Sequence, residues 1–288
     1  MAENEQTADG GIKAFVIGSP ITHSRSPMIH GHWLKTLGIA GSYEAITVDS
    51  GELADFVDAL KSGKNGFTGG NVTIPHKEVV FELADHVDET ARLIGAANTL
   101  WLEDGRLMAT NTDAYGFAAN LDNCSPGWDA CEKAVVLGAG GASRAILYAL
   151  IERGITDIRL INRTVSRAEA LAARFGPTIR PGGMQDLSAA LDSAGLFINT
   201  TSLGMDGAAA PELDFSTMKP GALVTDIVYV PLKTPFLTKA EAQGMKIADG
   251  LGMLLHQAVP GFAIWFGTRP EVTDELRQMI INDLELHA

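Results

Sequence analysis

Apolar residues in the first half of the chain fall in short runs, separated by stretches in which they recur at helical spacing. Lys13–Gly18 (KAFVIG) reads as a strand, and Pro27–Leu37 as a helix after the Ser24–Ser26 turn. Ser42–Thr47 is strand-like and Glu52–Leu60 helical. Phe67–Thr73 predicts a strand that leads into a helix opened by Pro75, because proline suits a first helical turn. Val87–Ile94 predicts another helix. Asn98–Leu102 and Leu107–Asn111 predict two strands joined by the turn signal Glu103-Asp104-Gly105.

A second unit begins near Lys133. Ala134–Leu137 (AVVL) is an apolar run that ends at a glycine cluster, and a helical stretch follows to Arg153. Ile158–Ile161 predicts a strand and Val165–Phe175 a helix. Leu196–Asn199 and Leu223–Asp226 repeat the theme of a short apolar strand ending in polar residues. Strands alternating with helices imply right-handed βαβ units and a parallel sheet. After Gly250 the chain turns helical, and these last helices are expected to return to the first domain. The predicted fold is α/β in two domains, residues 1–113 with 251–288, and a Rossmann-like doubly wound domain of 114–250.

Composition narrows the function classes. Of 288 residues, 46% are hydrophobic and 20% charged, as in a soluble globular protein. A net charge of −13 argues against nucleic acid or an anionic membrane surface, both of which call for a basic face. Cys124 and Cys131 are too few for a disulfide framework or a metal centre, and read as reduced thiols. No metal is expected. The acidic, polar start MAENEQTADGG carries no targeting pattern and reads as a frayed tail, and no apolar run reaches membrane-spanning length. The expected location is cytoplasmic.

Gly138-Ala139-Gly140-Gly141-Ala142-Ser143 lies between a predicted strand and a predicted helix. Small residues there let the backbone approach a pyrophosphate, whose charge the helix N-terminus favours. The end of the next strand selects the dinucleotide. An NAD site places an acid there, about 20 residues beyond the glycines, to hold the ribose hydroxyls. This chain has Asn162-Arg163-Thr164-Val165-Ser166-Arg167 instead. Arginine forks match a 2′-phosphate, and cations at a helix start work against its dipole unless a ligand uses them. The expected cofactor is NADP.

Two further clusters point to chemistry. Asn71-Val72-Thr73-Ile74-Pro75-His76-Lys77 sets amide and hydroxyl side chains on one strand face, and places Lys77 in the first turn of the next helix. The dipole and any burial both disfavour a charged lysine there, which suits a group that gives and takes protons. Asn111-Thr112-Asp113 stands where the first unit hands over to the second, so the carboxylate can face both cofactor and lysine. Each also has a plain structural reading: Asn-Thr-Asp is a good helix N-cap, and a first-turn lysine is often only solvated. His23, His30, His32 and His76 have no identifiable acid, base or metal partner and read as structural or surface residues.

The segments GSPITHSRSP, NVTIPHK, GAANTL, NTD, GAGGASRA, NRT, NTTSLGM, DIVYVPLKTPFL and DGLGMLLHQ occur in the order found in the shikimate dehydrogenase family, which the chain resembles over nearly its whole length after the tail. The resemblance implies NADP-dependent interconversion of 3-dehydroshikimate and shikimate in aromatic amino-acid biosynthesis, in a monomer or homodimer. It implies Lys77 and Asp113 as the catalytic pair. Ser24, Ser26, Thr73, Asn98, Tyr229 and Gln257 would hold the substrate, with Asn71 close by and Asp113 also touching it. Gly138, Ala139, Gly140, Gly141 and Ala142 would cradle the pyrophosphate, and Asn162, Arg163, Thr164 and Arg167 the 2′-phosphate. Ile227, Gly250 and Met253 would line the nicotinamide pocket, and Glu89 matches an acidic position the family associates with the cofactor. The chain departs in having Ala114 after the Asn-Thr-Asp motif, where glycine is common. The alternatives are a quinate/shikimate dehydrogenase using NAD or NADP, and a non-catalytic sensor of shikimate-like ligands. Ser24 and Ser26 fit the shikimate pattern better than the quinate one, and the sensor reading gains nothing from an intact Lys77 and Asp113.

Overall fold

In the computed structural model, residues 11–205 and 211–286 are described. The N-terminal segment expected to fray lies mostly outside them. By their contacts the residues divide into two compact units, 1–112 with 258–271, and 113–257 with 272–288.

The first unit is built on a mixed sheet. Strands β1 (Ile12–Gly18), β2 (Gly41–Thr47), β3 (Gly69–Val72), β4 (His86–Val87), β5 (Thr99–Glu103) and β6 (Arg106–Thr110) run in the order β2-β1-β3-β5-β6-β4. β1 pairs parallel with β2 and β3, while β5 is antiparallel to β3 and β6. Helices α1 (Ser26–Leu37), α2 (Leu53–Lys61), α3 (Lys77–Leu83) and α4 (Glu89–Ile94) connect them. Phe15, Ile17, Leu53, Val57, Leu60, Val72, Val80 and Leu100 form a core on one face of the sheet. Two helices start two residues later than expected. Pro75 stands in a turn behind a cis peptide bond, and α3 starts two residues later at Lys77. The helix expected from Val87 starts at Glu89, because the Asp88 side chain caps it by accepting from Ala91 N at 2.8 Å.

The second unit opens with α5 (Asp113–Cys124) and carries a wholly parallel sheet. Its strands are β7 (Lys133–Leu137), β8 (Asp157–Ile161), β9 (Ile179–Gly182), β10 (Leu196–Asn199), β11 (Leu223–Asp226) and β12 (Lys246–Ala248). The order β12-β11-β10-β7-β8-β9 is that of a doubly wound dinucleotide-binding fold, with the direction of winding reversing between β10 and β7. Helices α6 (Gly141–Glu152), α7 (Val165–Phe175), α8 (Leu187–Leu191) and α9 (Pro235–Ala242) alternate with the strands. The strands β7, β8, β10 and β11 are buried almost throughout, as a sheet covered on both faces requires.

Two helices end the chain, α10 (Leu251–Phe266) and α11 (Asp274–Leu286). The contact division falls inside α10, after Gln257, and α11 goes with the second unit rather than the first. Arg277 of α11 donates to the Asp249 carboxylate at 2.6 Å, and Leu276 and Ile280 are fully buried. In the first unit, Trp265 donates from its indole to Leu100 O at 2.8 Å. The C-terminal segment therefore does not return to the first domain as a block.

Candidate active site

Within the first unit, the polar residues named from the sequence gather at the ends of β1, β3 and β5. Tyr43 donates to Asn71 Oδ1 at 2.6 Å, and Asn71 Nδ2 donates to Asn98 O and Thr99 Oγ1, each at 3.1 Å. Asn98 Oδ1 accepts from Thr99 Oγ1 at 2.9 Å and from Thr112 N at 2.8 Å. All five side chains are buried, so each bond removed leaves a polar atom without water. Burial pushes the Tyr43 phenol well above its ordinary range and keeps it a donor. Against its ring lies His30, stacked at 3.9 Å and lowered to about 3 by burial, hence neutral. Tyr43→Phe is expected to destabilise the chain by about 1–3 kcal/mol in urea unfolding, because it strips the donor from a buried amide oxygen.

Lys77 is the first residue of α3 and is half-buried. The backbone on either side is tied down. Buried His76 donates from Nε2 to Val48 O at 2.6 Å, and Ala97 N donates to Lys77 O at 2.9 Å. His76 thus has the structural role expected of it, and fixes where Lys77 begins its helix. Thr73 is half-buried, its N–H on Ile17 O at 2.9 Å. Ser26 is buried at the start of α1 and Ser24 half-buried just before it, with Ser26 N donating to Ser24 Oγ at 3.3 Å. Glu89 stands exposed in the first turn of α4 beside Arg92, at 3.5 Å.

In the second unit the residues named for a dinucleotide line the carboxyl edge of the parallel sheet. Gly138 has φ +111°, and a Cβ there would press on Thr200 Oγ1 at 2.6 Å, so only glycine turns out of β7 at that point. A Cβ at Gly140 or Gly141 would meet nothing within 4 Å. Their smallness serves no internal packing and leaves room outside the start of α6, where Gly140 offers no side-chain cap to the first N–H groups. Asn162, at the end of β8, accepts from Ala139 N at 3.1 Å and donates to Thr164 O at 2.8 Å. It joins the glycine loop to the next loop. Arg163, Thr164 and Arg167 are exposed, and the first turn of α7 holds no acidic residue. The group fits a phosphorylated adenosine ribose and lacks the carboxylate that would repel it.

The other end of this edge carries residues that sequence reasoning passed over. Asn199 Nδ2 donates to Asp226 Oδ1 at 2.9 Å, and Thr234 Oγ1 to Asp226 Oδ2 at 2.7 Å. Asp226 is fully buried, and burial raises its carboxyl to about 6 despite these bonds. A carboxylate that ends an apolar strand, as in LVTD, was the available signal. Ile227 O lies where a Cβ on Gly250 would have to go, so the two named nicotinamide residues touch, and Met253 follows half-buried on α10. Tyr229 is half-buried in the loop after β11. Asp113 and Gln257 are buried, and Gln257 donates to Leu254 O at 3.1 Å. Gln257 packs so close to Gly116 that a Cβ on Gly116 would meet its backbone N at 2.7 Å. The glycine this helix needs is therefore Gly116, two residues after Ala114. Among the described residues, no cluster of three or more His, Cys, Asp or Glu could hold a metal, and no helix is long and apolar enough to cross a membrane.

Known proteins match this arrangement along the chain. Residues 16–100 match the shikimate dehydrogenase substrate binding domain, 127–205 the shikimate/quinate 5-dehydrogenase family, and 250–274 the shikimate 5′-dehydrogenase C-terminal domain. A shikimate dehydrogenase (NADP+) of Rhizobium etli is 61% identical over 277 residues, 96% of this chain and 97% of its own. Shikimate 5-dehydrogenase of Thermus thermophilus, solved with NADP(H) and shikimate, superposes with a TM-score of 0.82 at 36% identity, covering 95% of this chain and 99% of that one. Quinate dehydrogenase of Corynebacterium glutamicum, solved with NAD, superposes with a TM-score of 0.85 at 30% identity, covering 95% and 100%. With near-complete coverage at that identity, and with the Rossmann-type strand order, the chain belongs to the shikimate dehydrogenase family.

Proposed function

We propose that this protein is an NADP-dependent dehydrogenase that reversibly reduces 3-dehydroshikimate to shikimate, a step of the shikimate pathway. The observation that carries this reading is the identity of 61% to an NADP-dependent shikimate dehydrogenase along 96% of the chain. NADP, when bound, supplies or accepts the hydride. This chain's own groups do the rest. Lys77 and Asp113 handle the proton of the reacting hydroxyl, as general acid and base. Ser24, Ser26, Asn71, Thr73, Asn98, Tyr229 and Gln257 bind the substrate's hydroxyls and carboxylate. Asn98 Oδ1 is held by Thr99 and Thr112, which fixes the side chain proposed to meet the substrate. Asp113 also touches the substrate.

Residues 1–113 with part of the C-terminal segment form the proposed substrate-binding domain, and 114–250 the NADP-binding domain. Gly138 to Ala142 and the α6 start receive the pyrophosphate. Asn162, Arg163, Thr164 and Arg167 receive the 2′-phosphate, and Ile227, Gly250 and Met253 the nicotinamide. The role of Glu89 rests on the family resemblance alone. The protein is proposed to act in the cytoplasm, as a monomer or homodimer, where Cys124 and Cys131 stay as free thiols.

The test is a comparison of kcat/KM for shikimate and quinate, each with NADP and with NAD. Shikimate with NADP should exceed every other pair by at least about tenfold, a gap of ~1.4 kcal/mol in transition-state binding. A preference for quinate with NAD would replace this reading with the quinate dehydrogenase one.

A further inference from the structure

A buried hydrogen-bonded belt runs across the carboxyl edge of the parallel sheet, and its one ionisable member has no part in the proposed chemistry. The belt starts at the glycine turn, where Thr200 Oγ1 donates to Leu137 O at 2.9 Å and packs against Gly138. Asn199 Oδ1 then accepts from Thr201 N at 3.1 Å and Thr201 Oγ1 at 2.7 Å, which folds the loop after β10. Asn199 Nδ2 crosses to Asp226 Oδ1 at 2.9 Å. The same oxygen accepts from Val228 N at 3.0 Å, which shapes the loop after β11, and Oδ2 accepts from the Thr234 hydroxyl at the cap of α9. Ile227, between the two ends of that turn, touches Gly250.

We propose that Asp226 is a positioning residue for cofactor binding: its ionised carboxylate holds the loops after β10 and β11 in the shape that receives the nicotinamide half of NADP. This rests on the proposed function, which puts the nicotinamide against Ile227 and Gly250. Three donors converge on the carboxylate, and bonds to an ionised acceptor are roughly twice as strong as neutral ones. Protonation removes the charge, and it forces the Thr234 hydroxyl to accept where it now donates. The fold itself does not favour the charge. Burial is the leading influence on Asp226 and raises its carboxyl to about 6. The charged groups on the neighbouring elements are engaged elsewhere. Lys233 pairs with Glu241, Lys239 with Glu212 at 3.2 Å, and Asp249 with Arg277 at 2.6 Å, while His256 on α10 feels Asp122. Because the folded carboxyl is raised, its ionisation subtracts from stability as pH climbs from about 4 through about 6.

The experiment compares the full chain with Asp226→Asn, an isosteric change that retains an acceptor for Asn199 and Val228 but never carries charge. NADP affinity is measured by calorimetry at about pH 8 and about pH 5, on either side of the Asp226 carboxyl. Taking the ratio of variant to wild-type Kd cancels the titration of the ligand's own 2′-phosphate. The expected ratio is about tenfold at the higher pH and close to unity at the lower, where wild-type Asp226 is itself neutral. The melting temperature of the variant at the higher pH should equal or exceed that of the wild type, which a merely structural bond would not allow. A ratio of unity at both pH values overturns the inference, as does a ratio raised equally at both. If the wild type fails to bind NADP at either pH, the proposed function falls first and this inference with it.

Discussion

Lys77→Ala is expected to lower kcat about a thousandfold while NADP and shikimate still bind within a few-fold of the wild type. General acid–base groups contribute roughly 10²–10⁴ to rate, and a positioned lysine that shuttles the hydroxyl proton belongs in that range. The structure spends several bonds on the location of this residue. The buried His76–Val48 bond at 2.6 Å and the Ala97–Lys77 backbone bond at 2.9 Å fix both flanks of the α3 start. The first turn of a helix is a poor place for a cation, since it faces the positive end of the dipole. Removing the charge relieves an unfavourable dipole contact of up to about 1 kcal/mol, against which stands the loss of the side chain's own interactions. Loss of turnover with an unchanged melting temperature separates a chemical role from a structural one. Turnover within about threefold of the wild type would take Lys77 out of the chemistry.

The second large effect is expected at the end of β8. Arg163→Ala combined with Arg167→Ala should raise the KM for NADP about a hundredfold and leave the KM for NAD nearly unchanged. Each guanidinium lost from a phosphate costs about 1.4 kcal/mol, since bonds to charged groups contribute roughly 1.5–3 kcal/mol and exposure discounts them. Both arginines are exposed, and neither is held in an ion pair among the described residues, so no internal contact explains their presence. The first turn of α7 also lacks the acid that would normally favour its dipole. A parallel rise in both KM values would mean that these residues shape the loop rather than read the 2′-phosphate.

Much of this molecule can be read from its residue pattern, and the exceptions share a cause. The buried parallel strands announce themselves as apolar runs such as AVVL in β7 and LFIN in β10, because a sheet covered on both faces admits little else. The glycine turn was readable for the same reason, since Gly138 must take a positive φ that other residues avoid. Strand β9 (IRPG) and strand β12 (KIA) carry no such signature, being short edge strands with proline or lysine. The partition of the last helices was unreadable because it depends on non-local bonds. Arg277 finds Asp249 from 28 positions away, and Trp265 finds Leu100 across 165. The candidate site divides in the same way. Lys77 and the arginines stand out by local oddity, as cations at helix starts, and Asp113 by its place where the first unit hands over to the second. Most of the supports do not. Tyr43, His76, Asn199 and Asp226 act through partners 27 or 28 residues distant, and only Asp226 is marked by its neighbours along the chain, as a carboxylate that ends an apolar strand.

The most direct test of the account follows the hydride itself. 3-Dehydroshikimate is incubated with NADPH carrying deuterium at both positions of the reactive nicotinamide carbon, and the product is examined by mass spectrometry. The expected product is shikimate heavier by one deuterium, with the label on the carbon that bears the new hydroxyl. Unlabelled shikimate, or no shikimate at all from a protein that binds both ligands, would contradict it.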